Sequence, residues 1–300
     1  MPKEGYKAQA ALILEILPEL IHEECFAIHG GTAINLFVRD LPRLSVDIDV
    51  TFLPLLDRES SLSEIKEALA RIKHRIEYKL SNFQLAQIEF PPKLLIRKNG
   101  VEVKLEVNTV NRGCFEPPEI LPLCIKAQQE FKAFVEARVV ETGHLYGGKI
   151  CAALDRQHPR DLFDIKKLLE AEGITIQIKK GFLFYALCSS RPIYELLNPH
   201  VIDQRNVFEK QFRGMTQEDF TYQDFENTRN ELNYELHNSI THQDKEFLID
   251  FHRLNPEWYG YDFEKYPAVQ WKLNNIKKLK VNNPQKYFRE IQAIEQVLFS

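Results

Sequence analysis

From Ser45 to Phe52 the chain alternates without a break: Ser45, Asp47, Asp49 and Thr51 are polar, while Val46, Ile48, Val50 and Phe52 are apolar. Side chains on an extended strand point to opposite faces in turn, so this period of two predicts a half-buried strand. One face lies on a core and the other stays open, with two carboxylates on the open side. A sheet with one covered face therefore has to be built around this segment.

The flanking sequence supplies the rest of such a domain. Ala11, Leu14, Leu17 and Ile21 recur at helical spacing, predicting an amphipathic helix over 8–21. Cys25-Phe26-Ala27-Ile28 is a short apolar stretch running into Gly30-Gly31, and a second helix is expected from Thr32 to Val38, capped by Thr32 and ended by Pro42. Ile65, Leu69, Ile72 and Ile76 mark another helix. Asn99-Gly100 is the preferred pair for a two-residue type I′ hairpin. The strand leaving it, Val101–Asn108, carries Glu102, Lys104, Glu106 and Asn108 on one polar face, and a further strand is expected over 132–140.

Beyond residue 143 the pattern turns helical. Residues 143–155 and 160–171 read as helices, the second closed by Gly173, and later helices cover 268–280 and 284–299, the last opened by Asn283-Pro284. The chain is thus expected to be α+β: a mixed-sheet domain over 1–142 and a helical domain over 143–300 that closes a cleft.

Composition excludes other classes. Hydrophobic residues at 44% and charged residues at 27% are those of a globular protein, and 12 Gly with 15 Pro exclude collagen-like or largely disordered chains. No apolar run reaches the ~20 residues of a membrane span, and the opening Met1–Gly5 leads into no signal-peptide core. Cysteines 25, 114, 124, 151 and 188 are odd in number and contain no Cys-x-x-Cys pair, arguing against a disulfide framework and a zinc site. A cytoplasmic location is the expectation. With a net charge of −4, any nucleic-acid contact must rest on a local patch.

Asp47 and Asp49 stand two apart on the expected strand, roughly 7 Å apart at the backbone. Like charges that close call for a cation, and hard carboxylate oxygens suit Mg²⁺ shared with substrate phosphates. Glu106, on the polar face of the later strand, is the candidate third carboxylate of a two-metal site. Upstream, Gly30-Gly31 leaves backbone N–H groups open to a phosphate, with the positive end of the next helix behind them.

Gly30-Gly31-Thr32, followed by Arg43, Ser45, Asp47 and Asp49, resembles the first motif of the nucleotidyltransferase (polymerase-β-like) superfamily, and specifically of the AbiEii/AbiGii-type toxins. The strand Val103–Asn108 is similar to that family's second motif, which supports Glu106. The segment Lys149–Arg156, continuing through Pro159-Arg160-Asp161-Leu162-Phe163-Asp164, is similar to its helical Lys…Arg…Arg-Asp-x-x-Asp segment. The resemblance implies catalysis by Asp47, Asp49 and Glu106 with Mg²⁺. It further implies nucleotide contacts from Gly30, Gly31, Thr32, Arg43, Ser45, Lys149, Arg156 and Asp161. The implied reaction moves NMP from an NTP to an RNA hydroxyl, such as a tRNA 3′ end, with a cognate antitoxin alongside. From the residues alone, Arg160, Asp161 and Asp164 read equally as an ion network joining the two halves.

Gly143 to Lys149 fits G-x-x-x-x-G-K, but Ile150 stands where a P-loop needs Ser or Thr to reach Mg²⁺. From Lys265 to Arg289 there are seven Lys or Arg and no acid, interleaved with Tyr266, Trp271, Tyr287 and Phe288. Lys272, Lys277, Lys278, Lys280, Lys286 and Arg289 are therefore candidate RNA contacts, with aromatics able to stack a base. The other reading is two amphipathic helices with a solvated lysine face. Two rival functions remain: nucleotidylation of a protein Ser, Thr or Tyr, and a module that binds a nucleotide or partner without turnover.

Overall fold

A computed structural model describes residues 4–299; Met1–Lys3 of the opening segment and Ser300 lie outside the described residues. The chain forms two compact units, Met1–Glu141 with Gln211–Asp219, and Thr142–Lys210 with Phe220–Ser300. Residues 211–219, placed by the sequence in the helical half, thus belong to the first unit.

The first unit is a mixed seven-stranded sheet. Its strands are β1 (Phe26–His29), β2 (Ile48–Phe52), β3 (Phe83–Ile88), β4 (Lys93–Lys98), β5 (Val101–Asn108), β6 (Glu119–Pro122) and β7 (Glu136–Val139), in the order β3-β4-β5-β2-β1-β7-β6. β2 runs parallel to β5 and β1 parallel to β7; the other neighbours are antiparallel. Ile28, Ile48, Val50, Phe52, Leu94, Ile96, Val103, Leu105 and Val107 are buried, as the alternation requires. Helices α1 (Glu4–Leu20) and α3 (Arg58–Lys79) pack against strands of this sheet, α1 against β5 and β7 and α3 against β3 and β4. Two buried carboxylates tie α3 to the end of α1 and the turn after it: Glu23 meets Arg71 at 2.8 Å and Arg75 at 2.6 Å, and Glu19 meets Lys79 at 2.9 Å.

Several boundaries differ from expectation. β2 begins at Ile48, so Ser45 and Asp47 precede the strand. The second helix starts at Gly30 rather than Thr32: α2 (Gly30–Ala33) runs directly into a π-helical turn, Ile34–Val38, and His29, not Thr32, is its N-cap. That helix ends before Pro42, with Arg39 already extended. The expected strand over 132–140 is a shorter β7 preceded by α4 (Ile125–Phe131), with Lys132 left-handed at the end of the helix. The Asn99-Gly100 turn has φ of 51° and 79°, the two positive values that type I′ requires.

The second unit is helical: α5 (Thr142–Arg156), α6 (Pro159–Ala171), α7 (Ile176–Cys188), the short α8 (Ile193–Leu197) and α9 (Arg205–Val207), α10 (Tyr222–Ser239), α11 (His242–His252), α12 (Pro267–Asn282) and α13 (Pro284–Phe299). Gly173 has φ of 67° and donates its N–H to Leu168 O, the glycine stop the sequence predicts for α6. Asn283 caps α13 by accepting from Lys286 N at 3.0 Å. Helices α5 and α7 touch through glycine: a Cβ on Gly147 would fall 2.2 Å from the Gly181 carbonyl carbon, and one on Gly181 would fall 1.9 Å from Gly143 O. No helix among the described residues is long and apolar enough to cross a membrane.

Candidate active site

Strand register sets the row that matters. Asp49 lies opposite His29 on β1 and opposite Glu106 on β5, and Glu106 lies opposite Lys93 on β4. Directly paired residues share a face, so His29, Asp49, Glu106 and Lys93 cross the open face of the sheet in line. Asp49 is exposed and Glu106 half-exposed, whereas Ile48, Val50, Leu105 and Val107 point into the core. Lys93 Nζ stands 3.4 Å from Glu106 Oε1.

The glycine pair is shaped around this row. Gly30 has φ of 69°, and a Cβ there would meet Asp49 Oδ2 at 2.6 Å, so only a bare backbone can pass this carboxylate. At Gly31 a Cβ would meet Arg43 Nη2 at 2.8 Å and Ser45 Oγ at 3.3 Å. Arg43 and Ser45 are buried and pack on the glycine turn, with Arg43 Nη1 donating to Leu44 O at 2.9 Å. Thr32 is fully buried too; its hydroxyl donates to the Asp47 carbonyl and lies 2.9 Å from Ser45 Oγ. Thr32, Arg43 and Ser45 are thus buried behind the glycine turn, whereas Asp49 is exposed and Gly30, Gly31, Asp47 and Glu106 are half-buried.

The returning segment 211–219 holds the chain on either side of Arg43. Leu44 N donates to Met215 O at 2.8 Å, and Thr216 Oγ1 donates to Pro42 O at 2.8 Å. The sequence carries no periodic signal for this excursion. Lys93 was also missed, although its signal exists: a two-residue turn at Asn99-Gly100 sets Lys98 opposite Val101 and, counting back, Lys93 opposite Glu106.

Among the described residues, no group of three His, Cys, Asp or Glu is gathered closely enough to hold a metal ion. Asp47 stands just before β2, Asp49 and Glu106 are paired across β2 and β5, and Glu106 also meets Lys93. The chemistry of the donors still suits a hard cation, since Asp49 and Glu106 bring carboxylate oxygens side by side and Gly30 leaves Asp49 uncrowded on one flank. Cysteine chemistry finds no support, because burial pushes the thiols of Cys25 and Cys114 up to about 11.

In the second unit, Lys149 is buried and bonds two buried carboxylates, Asp161 Oδ1 at 2.8 Å and Asp164 Oδ2 at 3.0 Å. Arg156 Nε donates to Asp161 Oδ2 at 2.6 Å, while the Arg156 side chain stays 60% exposed. Burial pushes the Asp161 carboxyl up, but the Lys149 charge and the Arg156 hydrogen bonds overrule it and hold it well below the usual carboxylate range. These bonds tie α5 to α6 within one unit, rather than joining two halves. The residues of the P-loop-like string, Gly143 to Lys149, form continuous helix, which removes that reading.

The basic segment divides. Lys277, Lys278, Lys280, Lys286 and Arg289 are exposed on α12 and α13, beside exposed Trp271 and Phe288. Lys272 is instead partly buried and donates to Ser189 O at 2.6 Å, closing the end of α7, so it is a structural contact. Tyr266 and Tyr287 are core residues, not stacking platforms.

Residues 12–275 match the family described as the nucleotidyl transferase AbiEii toxin of type IV toxin–antitoxin systems. The chain belongs to this family. It is accordingly a nucleotidyltransferase, the toxin component of such a system, and the family implies an NTP substrate and a cognate antitoxin. Its fold is similar to that of MenT4, a nucleotidyltransferase toxin from Mycobacterium tuberculosis H37Rv, with a TM-score of 0.63 over 91% of this chain and 93% of that one, at 12% identity. No curated protein sequence matches the chain.

Proposed function

We propose that this toxin transfers NMP from an NTP to a hydroxyl of RNA, with a tRNA 3′ end as the favoured acceptor, in a Mg²⁺-dependent reaction at Asp49 and Glu106. The observation that carries this reading is the register placing the two carboxylates side by side, with the positive-φ Gly30 backbone against Asp49. Bound there, Mg²⁺ would neutralise the triphosphate and lower the pKa of the attacking hydroxyl. Asp47 and Asp49 would orient the triphosphate, and the Gly30-Gly31 N–H groups would restrain its oxygens. Glu106 would take the proton as the acceptor oxygen bonds to the α-phosphorus and the bond to the β-phosphate bridging oxygen breaks, releasing pyrophosphate.

The RNA acceptor is supported by the exposed cations of α12 and α13, interleaved with Trp271 and Phe288 and free of acids from Lys265 to Arg289. The test offers α-labelled NTPs to total tRNA and total protein with wild type and the K277E/K278E variant. Ribonuclease-sensitive label that weakens in the variant and with rising salt supports the reading. Proteinase-sensitive label would establish protein nucleotidylation instead. A chain that binds NTP without turnover would leave a binding module.

A further inference from the structure

Glu106 is engaged from two sides. Across β2 it neighbours Asp49, and across β4 it neighbours Lys93, whose ammonium lies 3.4 Å from Oε1. The hairpin imposes this second pairing, because the Asn99-Gly100 turn leaves Lys93 no other register partner on β5. The pair is partly withdrawn from water, with Lys93 24% and Glu106 44% exposed at the side chain. Carboxylates placed side by side raise each other's energy unless a cation lies among them. Here the chain supplies one from its own sheet.

We propose that Lys93 is a resident counter-ion for Glu106: it holds this carboxylate while no divalent cation is bound, and it yields the carboxylate when one binds. The inference rests on the reading of Asp49 and Glu106 as the metal-binding carboxylates. Lys93 is then a positioning residue that sets how tightly the site takes its cation. Binding must break the Lys93–Glu106 bond and bring a dication near an ammonium, and both effects oppose it. Removing the ammonium therefore tightens metal binding, the reverse of what loss of a merely structural ion pair would do.

The experiment is calorimetric titration of the full chain with Mn²⁺ alone, without nucleotide, at fixed ionic strength. K93M is expected to bind Mn²⁺ about three- to tenfold more tightly than wild type, from the loss of one partly exposed pair and its repulsion. K93R should stay near wild type, and K93M made in an E106Q background should change little. Unchanged or weaker Mn²⁺ binding by K93M would overturn the proposal. D49N separates the two claims: lost Mn²⁺ binding in D49N upholds the carboxylate site whatever K93M does, whereas wild-type binding in D49N overturns that site and the counter-ion role with it. A second readout, the rise in Tm on adding Mn²⁺, should be larger for K93M than for wild type.

Discussion

Replacing Lys149 by Met removes one ammonium from two buried carboxylates at once. Asp161 and Asp164 are each about 1% exposed, and Lys149 reaches them at 2.8 and 3.0 Å. Deleting one member of a buried ion pair costs about 3–5 kcal/mol, since the remaining charge stays desolvated. Arg156 still serves Asp161, so the lower end, about 3 kcal/mol, is expected. For a unit of this size each kcal/mol shifts Tm by about 2–4 °C, giving a fall of about 6–12 °C for K149M by scanning calorimetry at pH 7. Adding D164N to K149M should restore part of the loss by removing a buried charge that Lys149 had balanced, while Arg156 keeps Asp161. The pH dependence has a definite sign. A carboxyl whose folded pKa is depressed adds stability above its unfolded value of about 3.9 and loses it as pH falls through the folded value. The stability gap between wild type and D161N should thus hold from pH 7 to about 5 and close at lower pH. A K149M chain melting within 2 °C (about 1 kcal/mol) of wild type would refute the reasoning.

Three further outcomes follow from the geometry. G181A sets a methyl 1.9 Å from a backbone carbonyl oxygen that cannot swing away, so α5 and α7 must part; a loss of about 3 kcal/mol is expected in chemical denaturation. G30A combines a left-handed φ with a methyl 2.6 Å from Asp49 Oδ2, and should lower kcat by about tenfold or more and cost about 1–2 kcal/mol of stability. T32V removes the hydroxyl that donates to the Asp47 carbonyl without changing side-chain size, and should cost about 1–2 kcal/mol of stability together with a drop in kcat.

Much of the site was legible because period-two alternation and turn chemistry are local signals. The strand bearing Asp49, the hairpin at Asn99-Gly100 and the polar face carrying Glu106 follow from them, whereas the β2–β5 pairing that sets Glu106 opposite Asp49 is long-range and does not. The helix start was misplaced because Thr32 has the chemistry of a cap, yet its hydroxyl serves a residue fifteen positions away, which no local window contains. The same holds for the 211–219 segment bonding Leu44 and Pro42, and for Lys149, whose partners lie on the next helix. The basic run from Lys265 to Arg289 was visible as charge, but which lysines remain exposed depends on packing: Lys272 is taken up by carbonyls at the end of α7. The glycines of α5 resembled a phosphate loop, and their use in helix packing appears only once α7 lies against them.

The central claim is that Asp49, held between Gly30 and Glu106, carries the transfer chemistry. Its most direct test is release of pyrophosphate and incorporation of α-label by purified wild type and D49N, both shown to have the same Tm. A fall of about 10²–10³-fold or more in D49N, with folding intact, is the predicted result. Undiminished transfer by D49N would contradict the account and move the chemistry elsewhere in the chain.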